Sequence, residues 1–82
     1  MPMFLGVHDM GGSVEDEAVR ASWEAYKTAC QAAGCKPTHA HYNAQNGKAY
    51  CLTEADSADQ VQKAHNDAQV PVNEVFEVKD LQ

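Results

Sequence analysis

Three features of the chain predict an α+β domain of ferredoxin-like βαββαβ order. Two stretches carry apolar residues at helical spacing, an Asn46-Gly47 pair separates two extended runs, and short apolar runs lie near both ends. Met3 to His8 is the first such run, and the breakers Gly11-Gly12 end it as a short strand. Ser13 with Asp16 three residues later approximates a capping box, and Glu15, Asp16 and Glu17 suit the positive end of a helix. Val19, Trp23, Tyr26, Cys30 and Ala33 then form one stripe of a helix of about twenty residues, closed by Gly34 in the left-handed conformation.

Lys36-Pro37 restarts an extended chain, with a second strand from Thr38 to Asn43. Asn46-Gly47 predicts a type I′ hairpin, which makes Ala49 to Thr53 the returning strand. Asp56 or Ser57 caps a second helix whose inner stripe is Ala58, Val61, Ala64 or His65, and Ala68. Pro71 closes it, and Val75 to Val78 forms the last strand. Two interleaved right-handed crossovers then give an antiparallel four-stranded sheet, ordered 4-1-3-2, with both helices on one face.

Eighty-two residues allow a single domain, 1–82. A chain of this size buries only about 60% of its unfolded surface, so covering the bare sheet face in a homodimer would stabilise it. Twelve acidic residues against six basic ones leave a net charge of −6, which argues against nucleic acid and against an anionic membrane as partners. No run approaches the ~20 apolar residues that span a bilayer. The opening Met1-Pro2-Met3-Phe4-Leu5 does not read as a signal peptide, and three cysteines do not make a disulfide framework, so the expected location is cytoplasmic.

Histidine carries the chemical signal, at positions 8, 39, 41 and 65. His39 and His41, two apart on a strand, point to the same face about 7 Å apart, where they can contribute to a metal site or stand as two solvated residues. His8 and Asp9 end the first strand near the hairpin, and His65 approaches the same end from the second helix. Two clusters follow as the expectation: His39 with His41, and His8 with Asp9 and His65. The packing alternative is strong for His65, which follows Val61 by four. Cys51 and Cys30 read first as small buried hydrophobes, with metal ligation the alternative, while Cys35 after the helix-ending glycine is expected to be the exposed thiol. Tyr42 and Tyr50 flank the hairpin and are expected to pair across it, and Trp23 reads as core. A phosphate-binding glycine loop, a nucleophile elbow and a zinc-protease motif are all missing.

The opening Met1 to Leu5 with His8-Asp9-Met10, the pair His41-Tyr42, the run Lys48 to Cys51 and the segment Ala64 to Val75 together resemble a family of small actinobacterial ferredoxin-like proteins that includes a Streptomyces nickel-binding member. The resemblance spans nearly the whole chain and rests on the order and spacing of modest motifs. It implies a ferredoxin-like dimer holding Ni(II) at surface sites, with His8, Asp9, His41 and His65 in family-like positions. His39 departs from the pattern, where a bulky or aromatic residue is expected, so its role rests on the His-x-His geometry alone. Imidazole donors suit nickel, copper and zinc alike, so the preference for nickel comes from the resemblance.

The leading expectation is thus a non-enzymatic nickel-binding protein for storage, buffering or delivery. The alternative is a small dimeric monooxygenase- or isomerase-type enzyme, which a deep apolar pocket containing His41 and Tyr42 would favour. A third reading is an interaction module whose histidines are incidental.

Overall fold

The computed structural model describes residues 1–82. Its elements follow the predicted order: β1 (Met3–Asp9), α1 (Asp16–Ala33), β2 (Lys36–Asn43), β3 (Lys48–Glu54), α2 (Ala58–Ala68) and β4 (Glu74–Val78). The strands form one antiparallel sheet in the order β2-β3-β1-β4, which is the expected 4-1-3-2 read from the other edge.

Period-two alternation sorts the strand residues. Phe4, Gly6 and His8 of β1 and Cys51 and Thr53 of β3 are buried beneath the helices, while Met3, Leu5 and Val7 turn to the other face. Nothing within the chain covers that second face, and Tyr50 and Phe76 stand on it 42% and 44% exposed. The helix stripes fall as their spacing predicts, with Tyr26 and Cys30 of α1 and Val61, Ala64 and His65 of α2 buried. Gly34 takes the left-handed conformation at φ 84° and ends α1. Ser57 caps α2, its side chain accepting from the Gln60 amide, and the Gln60 side-chain amide donates to the Ala33 carbonyl at 2.7 Å, tying the two helices together.

Four local expectations are corrected. The N-cap of α1 is Glu15 without a side-chain bond, because the chain from Ser13 to Val14 is occupied in lying on the hairpin, where the Val14 amide donates to the Ala44 carbonyl. The hairpin is a four-residue loop in which only Gly47 has positive φ (66°), and the Asn43 side chain accepts from the Asn46 amide, so the type I′ turn is absent. A Cβ at position 47 would collide with the Gly12 backbone, so glycine is required there by the close approach as well as by φ. Tyr42 and Tyr50 do not pair: Tyr42 lies opposite Ala49 and Tyr50 opposite His41, which puts the two rings on different faces. Cys35 is buried, since the turn after Gly34 folds its thiol back against the core.

Candidate metal centre

Three elements converge under the helices. His8 comes from the end of β1, Cys51 from the middle of β3 and His65 from the last turns of α2, and all three are buried. One ligand atom from each lies within 4.8 Å of the other two. The Cys51 Sγ stands 3.5 Å from His8 Nε2 and 3.6 Å from His65 Nε2.

Hydrogen bonds on the far side of each ring fix both tautomers. His8 Nδ1 meets the Pro71 carbonyl at 2.7 Å, and His65 Nδ1 meets the Val61 carbonyl at 2.9 Å. A carbonyl can only accept, so each Nδ1 carries the hydrogen and each Nε2 presents a lone pair. Both lone pairs point at one sulfur. A thiol has a single hydrogen and can satisfy only one of them, so the cluster holds three donor atoms with one proton among them. Protonating a ring would relieve this, but burial lowers the pKa of His8 and takes that of His65 down to about 4. Burial also raises the Cys51 thiol to about 11, so at neutral pH it is neither a thiolate nor a ready nucleophile.

The surroundings shape this arrangement. Tyr26 stacks on His65 with centroids 4.0 Å apart, and its hydroxyl is held by Thr53 Oγ1 at 2.6 Å, so the imidazole plane is fixed from the α1 side. Gly6 lies opposite Cys51 in the sheet, and a Cβ there would stand 2.6 Å from the sulfur and 3.5 Å from the His65 ring. Glycine therefore makes the room in which thiol and imidazole meet. The donor set and its fixed lone pairs fit one borderline or soft divalent ion, which binds nitrogen at about 2.1 Å and thiolate at about 2.3 Å.

The other sequence-predicted residues lie outside this three-residue cluster. Asp9 is adjacent to His8 and so turns to the opposite face, where its carboxylate binds Lys48 at 2.9 Å and accepts from the Gly11 amide. Lys48 and Gly11 hold that carboxylate below its usual range. His39 and His41 are exposed and share the uncovered face, with centroids 5.1 Å apart in an edge-to-face pair. The structure thus brings His8 and His65 together, keeps His39 with His41, and leaves Asp9 out of the buried cluster. Sequence reasoning read Cys51 first as a packing residue, with ligation only the alternative, and missed Gly6 and Tyr26. A signal existed for Cys51: antiparallel pairing of β1 with β3 sets it opposite Gly6, two residues from His8 on the same face.

Beside the cluster, a cavity of about 990 Å³ opens between α1 and the sheet, with Asp9, His39 and Tyr42 but not His41 in its wall. The fold and this centre define a ferredoxin-like domain with a buried His-Cys-His group able to hold a metal. The family model described as "Nickel responsive protein SCO4226-like" matches residues 4–78, and the chain belongs to that family. The crystal structure of SCO4226 from Streptomyces coelicolor A3(2) is similar at a TM-score of 0.88 and 24% identity, covering 98% of this chain and 99% of that one. Comparison with the curated proteins gives no match. No helix is long and apolar enough to cross a membrane.

Proposed function

We propose that this protein binds Ni(II) at His8, Cys51 and His65 and serves to store, buffer or deliver it in the cytoplasm without catalysing a reaction. The observation that carries this reading is the pair of Nε2 lone pairs aimed at a single thiol. A divalent cation satisfies all three donors at once, and its charge displaces the thiol proton. The family's nickel responsiveness supports nickel as the ion, since the donors alone would take Cu(II) more tightly. The free state of all three cysteines suits a reducing compartment.

His39 and His41 form a second, open two-imidazole site of lower affinity in this proposal. The apolar patch of Leu5, Leu52 and Phe76 on the same sheet face is the surface on which two chains pair as a homodimer, with His39 and His41 beside it on the edge strand β2. The enzymatic alternative draws on the cavity, but the protonated state of Cys51 and the separation of His41 from that cavity disfavour it.

Calorimetric titration of the apo protein with nickel tests the reading. His8→Gln and His65→Gln should each weaken the tight site on the order of 100-fold, as loss of a ligand or its orientation does. Parent-like affinity in both variants would remove the buried centre from the account.

A further inference from the structure

The cavity beside the metal centre is large for so short a chain, and its cause is visible. Helix α1 packs along α2 and meets the sheet mainly at β2. On the helix-facing side of the sheet beneath it stand Ala40 and Ala49, whose methyl groups do not fill the gap, while Val19 and Trp23 of α1 form the opposite wall. The β1–α1 loop lies across the hairpin through the Met10 amide and the Gly47 carbonyl at 2.8 Å, beside the same space.

A volume of about 990 Å³ lies at the upper end of the range of about 300–1,000 Å³ typical of small-molecule sites. Its wall is mostly apolar between α1 and the sheet, with Asp9, Arg20, Ser22, Thr38 and His39 also lining the space. His8, Cys51 and His65 line the same cavity. Three protein donors are fewer than any of the candidate ions accepts, and this cavity, which all three donors border, gives a further ligand a way in.

We infer that the cavity takes a small, largely apolar organic co-ligand with one donor atom, which completes the coordination of a metal ion held by His8, Cys51 and His65. This inference rests on the metal-binding reading above. The apolar body of the co-ligand fills the space between Val19 and Ala49 while its donor atom reaches the ion; an imidazole nitrogen stands in for that donor in the test. The metal is then carried as a mixed complex of protein and small molecule.

The probes are imidazole and 4-phenylimidazole, added to nickel-loaded full-length protein. Absorption spectra report ligation of the ion, and equilibrium dialysis reports the nickel retained. The expected result is that 4-phenylimidazole shifts the nickel spectrum at a concentration at least tenfold lower than imidazole, with the metal still on the protein. Ala49→Phe and Val19→Trp fill the cavity from opposite walls, and each should abolish that advantage while nickel retention stays as in the parent. Two variants guard against a misfolded one, and the comparison of the two probes on the parent needs neither. Equal potency of the probes, or extraction of nickel by 4-phenylimidazole, overturns the inference and leaves the metal-binding reading in place. Failure of the parent to retain nickel at all overturns both.

Discussion

Gly6→Ala places one methyl group at the point where the His8-Cys51-His65 cluster is tightest. The added Cβ would stand 2.6 Å from Cys51 Sγ, whereas non-bonded carbon contacts settle at about 3.5–4.0 Å. The sulfur must therefore retreat by about 1 Å. Cys51 sits in the middle of β3, paired on both sides with β1 and β2, so its backbone cannot yield and its side chain must rotate instead. Overpacking of this kind costs about 1–3 kcal/mol, against about 0.5–1 kcal/mol gained by stiffening the unfolded chain. The net expectation is a loss of about 1 kcal/mol in urea unfolding of the apo protein. The effect on nickel should be larger, because a thiolate moved by about 1 Å leaves a bond of about 2.3 Å. A double-mutant cycle isolates the cause: in a Cys51→Ala background the clash is gone, and Gly6→Ala should cost nothing further. A Gly6→Ala protein with parental stability and parental nickel affinity would refute the reasoning.

Further outcomes follow from the same geometry. Metal binding should release one proton, from Cys51, because burial holds that thiol up at about 11 while both imidazoles are already neutral; nickel affinity should then rise about tenfold per pH unit between pH 7 and 9, and a flat profile would exclude the thiol. Apo stability should fall as pH drops from about 6.5 towards 4, by about 2 kcal/mol, since the unfolded chain takes up a proton that buried His65 refuses; unfolding curves that coincide at pH 7 and pH 4.5 would contradict this. Replacing both His39 and His41 with alanine should remove the weaker nickel site, keep the tight one and change stability by less than ~0.5 kcal/mol, as isotherms and melts would reveal. Light scattering should report a dimer at micromolar concentration, and a monomer whose stability ignores dilution would leave the apolar sheet face unexplained.

The fold was legible because its signals are local and periodic. The stripe from Val19 to Ala33, the glycine at position 34 and the turn-forming pair at 46 and 47 each act within a few residues, and the element order follows from them. The hairpin geometry was less legible, since it depends on Gly12 of a distant loop lying against Gly47. The His8-Cys51-His65 cluster was half legible. Histidine stands out by its chemistry, so His8 and His65 were noticed, and the second helix brought them to one end as expected. Asp9 was attached to His8 by adjacency, although alternation along a strand sends neighbours to opposite faces. Cys51 was harder to assign, because a buried thiol looks the same in a sequence whether it packs or ligates. What separates the two is tertiary: the carbonyls of Pro71 and Val61 turn both imidazoles so that their free nitrogens face the sulfur.

Titration of the apo protein with nickel, followed in the near ultraviolet, bears most directly on the buried centre. A thiolate bound to nickel gives a charge-transfer band that imidazole and carboxylate do not. The band should grow to saturation at one ion per chain in the parent and be missing from Cys51→Ser, with circular dichroism confirming that the variant is folded. Nickel bound without such a band, or a band that survives in Cys51→Ser, would contradict the assignment of His8, Cys51 and His65 as the metal centre.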